Sequence, residues 1–87
     1  MNARELVAWN VRRLRVLRGI SSETLAADAS VDRSYMSRVE RGVANPTIDV
    51  LERIVGVLEV EIAELFAIPQ PTDERPEPLT GGRRRSQ

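Results

Sequence analysis

Two helix-starting residues, Ser21 and Asp32, punctuate the stretch ISSETLAADASVDRSYMSRVERG at residues 20–42 and leave room only for two short helices joined by a tight turn. Ser21 offers a hydroxyl to the first orphan N–H groups, and Glu23 places negative charge in the first turn. Leu25, Ala26 and Ala29 are spaced for a single buried stripe. Ala26 and Ala27 are small enough to let a second helix approach closely. Ala29, Ser30 and Val31 form the connection, Asp32 caps the next helix, and Gly42 ends it as a residue that tolerates the left-handed region.

The second of these helices turns only Met36 and Val39 inward, with Tyr35 flanking them. Arg33, Ser34, Tyr35, Ser37, Arg38 and Arg41 are left as an outward surface of hydrogen-bond donors and cations, which suits major-groove base edges and the phosphates beside them. An arginine fork donates two parallel bonds to a guanine edge, worth about 1–3 kcal/mol of base discrimination. Taken singly, Arg33 or Arg38 reads more readily as solvated charge on an amphipathic helix than as a base contact. The joint pattern is what points to DNA.

The flanking segments also read as helices. Asn2 with Glu5 three residues on predicts a capped start, and Gly19 a stop after Arg18, with Leu6, Val7, Val11, Leu14 and Leu17 as the core face. Trp9 falls off the centre of that stripe and is expected half-buried at an edge. Arg12 and Arg13 are expected to be exposed, within reach of flanking phosphates. Pro46 biases Asn45 to an extended conformation, and Thr47 caps a fourth helix carrying Ile48, Leu51, Ile54, Val55 and Leu58. A short fifth helix at about residues 62–67 holds Ile62, Leu65 and Phe66, more large apolar groups than so short an exposed segment keeps in water. That excess predicts a two-fold interface. From Pro69 onward the composition shifts to Pro69, Pro71, Pro76 and Pro78, then Gly81, Gly82 and the triplet Arg83, Arg84, Arg85. Such a segment cannot bury enough apolar surface to order itself. The expected organisation is one domain at 1–68 and a Pro/Arg-rich disordered tail at 69–87.

Composition narrows the function classes. The chain has 87 residues with no cysteine and no histidine, which excludes a disulfide framework, a thiolate metal site and the commonest general base. Glu52, Glu59, Glu61 and Glu64 read as solvated helix positions, not as an acid pair, and there is no Gly-rich phosphate loop. An enzyme, a cofactor and a small-molecule ligand are therefore not expected. No run approaches the roughly 20 apolar residues of a membrane span, and the amino terminus lacks a signal-peptide core; a cytoplasmic protein is expected. The formal net charge is zero, but it is unevenly placed: +3 over residues 1–46, −4 over 47–68 and +1 over 69–87. Positive charge travels with the two central helices, an asymmetry that orients a molecule toward phosphates.

The segment NVRRLRVLRGISSETLA, followed by DRSYMSRVERGVANPTIDVLERIVGVLEVEIAELF, resembles the Cro/C1-type (XRE-like) helix-turn-helix family of phage repressors, restriction-modification controller proteins and small bacterial regulators. The resemblance covers about residues 7–66. It implies an all-α, compact five-helix, lambda-repressor-like domain with the helix-turn-helix at its second and third helices. By position it places base contacts on Arg33, Ser34, Ser37 and Arg38, with Tyr35 as a further candidate, and phosphate contacts on Ser21, Ser22 and Arg41. Asn45 falls in a loop that relatives lay along the DNA backbone, with Arg13 a further phosphate candidate from the reading above. Arg15 and Glu40 fall on a partly buried ion pair between the first and third helices. The chain departs from the family pattern at Ser22, where Gln is usual, and at Glu59 and Glu61, where Gly and a hydroxyl cap are usual. The expected function is sequence-specific regulation of transcription by a homodimer on a palindromic operator, with residues 32–41 in the major groove. The alternative is a protein-binding use of the same fold, as in an antitoxin or antiactivator.

Overall fold

Asn2 opens helix α1 (Ala3–Arg18) through a reciprocal cap. Its side chain accepts the Glu5 N–H at 2.9 Å, and the Glu5 carboxylate accepts the Asn2 N–H at 2.9 Å. Gly19, at φ 71, closes the helix in the left-handed region. In the computed structural model, which describes residues 1–70, α2 (Ser22–Asp28), α3 (Arg33–Glu40) and α4 (Ile48–Leu58) follow, each started by the side chain of the residue before it: Ser21, Asp32 and Thr47. A 3-10 helix (Ile62–Phe66) stands where a fifth α-helix was expected. Among the described residues there is no strand, so the fold is all-α. Of the expected tail, residues 71–87 lie outside the described residues.

The core joins Val7, Val11 and Leu14 of α1 to Leu25, Ala26, Ala29, Met36, Val39, Leu51, Ile54, Val55, Leu58 and Leu65. Five large side chains within it, Leu25, Met36, Ile54, Leu58 and Leu65, are fully buried. Three expected core residues lie outside the packed cluster: Leu6, which is half-buried, and two that are exposed. Leu17 is 73% exposed because it sits about 80° round the helix from Val7 and in the last turn, beyond the packed stripe. Ile48 is 63% exposed because it is the first residue of α4, overhanging the turn that Leu51 buries. Trp9 is half-buried beside a groove lined by Met1, Glu5, Ala8, Arg12 and Arg41, and its buried indole N–H meets no protein acceptor.

Polar contacts set the remaining geometry. Asn10, 1% exposed, sends its amide across to the carbonyls of Leu65 and Ala67, both at 2.9 Å, and so ties the terminal segment to α1. Arg53 donates from Nε to the Ala29 carbonyl at 2.9 Å, satisfying the end of α2 from α4. Glu59 takes the left-handed position after α4 at φ 59, with its side chain on Arg18 at 3.0 Å. Gly42, at φ 78, lets the chain leave α3 where an added Cβ would lie 3.4 Å from the Glu5 Cα.

Candidate nucleic-acid interface

The turn between α2 and α3 is closed by its own backbone. Val31 N–H reaches the Ala26 carbonyl at 2.8 Å and Ser30 N–H the Ala27 carbonyl at 3.2 Å, with Ser30 at φ 58 and Ala29 buried beneath. Asp32 then starts α3. Its carboxylate accepts the Ser34 hydroxyl at 2.6 Å and the N–H groups of Ser34 and Tyr35 at 3.0 and 3.2 Å. These bonds, the Ser34 hydroxyl foremost, hold the Asp32 carboxyl below its ordinary value of 3.8. A folded state that binds the proton more weakly than the unfolded chain is stabilised above the unfolded value, and the gain disappears as pH falls through the lowered one. Asp32→Asn keeps an acceptor but cannot titrate. The thermal midpoint of that variant is therefore expected to fall less steeply than the parent's when the pH is taken below about 4; parallel curves would deny the cap this role.

Met36, Val39 and Glu40 face inward from α3. Arg33, Ser37 and Arg41, four residues apart, make one exposed row, and Ser34 with Arg38 makes a second. The Arg38 guanidinium stands 5.8 Å from the centre of the half-buried Tyr35 ring, which restrains it by a cation–π contact. Because Ser34 gives its hydrogen to Asp32, its outward oxygen is left as an acceptor, suited to an exocyclic amino group on a base. Ser22 stands beside the first row, lining a depression with Glu23, Arg33 and Ser37. Arg33 and Glu23 are joined by an exposed ion pair at 2.8 Å.

Behind this surface α3 is bolted to α1. Arg15 presents Nε and Nη2 to the Glu40 carboxylate at 3.0 and 3.1 Å and donates from Nη1 to the Ile20 carbonyl at 3.0 Å. The two side chains are only 17% and 9% exposed. Arg12 donates to the Glu40 carbonyl, bringing a cation to the last turn of α3. The α3–α4 loop is drawn back as well: Val43 N–H meets the Arg38 carbonyl at 3.1 Å and Ala44 is buried, while Asn45 is exposed.

The structure gives several of the residues singled out in the sequence partners within the protein itself. Arg12 and Arg13 are half-buried, since Arg12 serves Glu40 while Arg13 places its donors on the Asn10 side-chain oxygen at 3.1–3.2 Å and lies 3.6 Å from Glu64. Arg13 is thereby turned to the terminal 3-10 helix and is not in the row with Arg41. Ser21 spends its oxygen on Thr24, accepting the N–H and donating to the hydroxyl, each at 3.0 Å. Leu65, expected at an intermolecular interface, is fully buried in the protein's own core; Phe66 at 42% and Ile68 at 74% exposure, with Ile62 half-buried, form the apolar surface at that end.

The role of Asn10 and the pairing of Glu23, read from sequence only as a first-turn charge, lay outside the sequence expectations. Asn10 interrupts a helix stripe with a polar side chain at a buried position, a signal that was there to be used. The pairing of Glu23 became visible only when α2 met α3. Among the described residues no cluster of acids is arranged to hold a metal ion, and no helix is long and apolar enough to cross a membrane.

Comparison with known proteins agrees with this geometry. A family model described as helix-turn-helix (HTH_3) matches residues 11–65. The chain is 38% identical over 76 residues to the uncharacterised HTH-type transcriptional regulator y4dJ of Sinorhizobium fredii, covering 87% of this chain and 95% of that protein. It is 42% identical over 57 residues to the HTH-type transcriptional regulator SlrR of Bacillus subtilis; that match takes in 64% of this chain but only 38% of SlrR. Among solved structures, the restriction-modification controller protein C.AhdI of Aeromonas hydrophila superposes with a TM-score of 0.70 at 36% identity, over 72% of this chain and 96% of that one.

Proposed function

The chain belongs to the HTH_3 helix-turn-helix family, and from that premise we propose that it is a sequence-specific regulator of transcription that binds a palindromic operator as a homodimer in the cytoplasm. The observation that carries the reading is the exposed row Arg33, Ser37 and Arg41 on a helix whose back is fixed by the buried Arg15–Glu40 pair. Seated in a major groove, α3 brings Arg33, Ser34, Ser37 and Arg38 to base edges. Ser22, Arg41 and Asn45 then meet the phosphates on either side. Tyr35 acts by restraining Arg38. The resemblance to C.AhdI supports a controller-like or repressor-like mode, in which the position of the operator sets the sign of regulation and the concentration of the protein sets its occupancy.

Selection of bound duplexes from a random pool at stated salt tests this directly. A palindromic motif with half-site centres about 34–36 Å apart is expected; no enrichment would overturn the proposal. Arg33→Ala is expected to relax preference at one base position per half-site, at a cost of about 1–3 kcal/mol. Arg41→Ala should weaken all sequences alike and lower the salt slope by about one unit, and an unchanged slope would remove Arg41 from the phosphate set.

We assign the homodimer contact to Ile62, Phe66 and Ile68, apolar side chains on and just after the 3-10 helix, of which Phe66 and Ile68 are exposed. Two linked half-site contacts bind far more tightly than one. Phe66→Asp is therefore expected to give a monomer in sedimentation and to weaken operator binding by about 100-fold. A dimer that persists in that variant would move the interface elsewhere.

A further inference from the structure

The depression between α2 and α3 is lined by Ser22, Glu23, Arg33 and Ser37, and so pairs one carboxylate with one guanidinium. Glu23 lies in the first turn of α2 and Arg33 is the first residue of α3; the Glu23 Oε2 and Arg33 Nη1 are 2.8 Å apart, with side chains 62% and 74% exposed. In water such a pair contributes little to folding; the first-turn charge of Glu23 favours the start of α2, but an acid there does not need an arginine of α3 at 2.8 Å. We propose that Glu23 is a positioning residue that aims Arg33 at a guanine edge and sets how sharply the protein discriminates between DNA sequences. The assignment rests on α3 being the helix that enters the groove.

The physical argument has two parts. Arginine presents five N–H donors in a rigid plane, and committing one Nη1 hydrogen to Glu23 still leaves a parallel pair for the O6 and N7 of guanine. It also stops the guanidinium from swinging onto a phosphate, which would hold any sequence equally well. When docking expels water the local dielectric falls and the Glu23–Arg33 attraction strengthens, so the arginine is held most firmly when a base edge is in front of it. The second part is repulsive. A carboxylate carried toward the phosphate backbone weakens every encounter in which Arg33 does not gain a base partner, so mismatched sequences are disfavoured more than matched ones. Ser22 and Ser37, which line the same depression, are uncharged and leave Glu23 as its one anion.

The test uses the full chain, the duplex found by selection and a scrambled duplex of equal length, with both dissociation constants measured at one salt concentration. Glu23→Gln is expected to tighten the scrambled duplex about three- to tenfold through loss of one repelling charge and to lower the selected-to-scrambled ratio by about tenfold, with the thermal midpoint lowered by no more than a few degrees through loss of the first-turn charge. In an Arg33→Ala background the same change should leave the ratio as it was, because nothing remains to be aimed. A ratio unaltered by Glu23→Gln, or lowered equally in both backgrounds, would overturn the assignment while base reading by α3 stands. Failure of the unaltered chain to enrich any duplex would remove both readings together.

Discussion

Replacing Glu40 alone by leucine is expected to destabilise the fold by about 3 kcal/mol, because Arg15 would then be left nearly buried with no counter-charge. The Glu40 carboxylate takes two bonds from Arg15 at 3.0 and 3.1 Å in a site where the side chains are 9% and 17% exposed, so water cannot replace it cheaply. A domain of about 70 residues has roughly 4–10 kcal/mol in total, so the variant keeps a reduced margin and its thermal midpoint should fall by about 12–24 °C. The pair itself contributes far less than its rupture costs, since burial of both charges offsets their attraction. The double variant Arg15→Met, Glu40→Leu is therefore expected to recover most of the loss. A deficit of about 1 kcal/mol should persist because the Ile20 carbonyl loses the Arg15 Nη1 donor. Denaturant titration of the two single variants and the double closes the cycle. Simple additivity would mean that α3 is not held to α1 by this pair. In DNA binding, the recovered double should still be weaker than the parent, because packed apolar groups fix the orientation of α3 less tightly than a two-bond ion pair.

The second large effect is expected at Asn10. Its amide nitrogen supplies the Leu6 carbonyl at 3.1 Å and the Leu65 and Ala67 carbonyls at 2.9 Å, while its oxygen receives Arg13. Asn10→Ala strands acceptors at a buried contact and should cost about 2–3 kcal/mol. Asn10→Asp separates shape from hydrogen bonding: it keeps the outline and the acceptor for Arg13 but faces the two carbonyls with lone pairs. At neutral pH it should be at least as destabilising as alanine. Hydrogen exchange provides the local reading. Amides of residues 62–67 should lose protection before those of α2 and α3, since Asn10 clamps the terminal helix to α1. Equal loss throughout would make Asn10 a general core residue and not a clamp. Phe66 and Ile68 ride on that segment, so the variant should also weaken the proposed homodimer.

Much of this was legible in the chain because it depends on neighbours in sequence. Caps at Asn2, Ser21, Asp32 and Thr47 each need one side chain and a backbone N–H two or three residues on, and all four form. The stripes Val7, Val11, Leu14 and Leu51, Ile54, Val55, Leu58 follow from helical periodicity and are buried. The inward Met36 and Val39 likewise expose Arg33, Ser34, Ser37 and Arg38, so the order of the elements and the exposed rows on α3 were determined by local rules.

What lay beyond local rules was decided by partners far away in the chain. Periodicity says which direction a helix buries but not where its packing ends, and so Leu17 and Ile48 are exposed. Charge says that an arginine wants a partner but not which one: Arg13 turns to Asn10 and Glu64, Arg53 to the Ala29 carbonyl and Arg33 to Glu23. Apolar excess in residues 62–66 could not say which side chain faces outward. The clamp from Asn10 rotates Leu65 into the core and leaves Phe66 outside, because a carbonyl bonded across to α1 fixes the path of the backbone and with it the face that each neighbouring side chain must take.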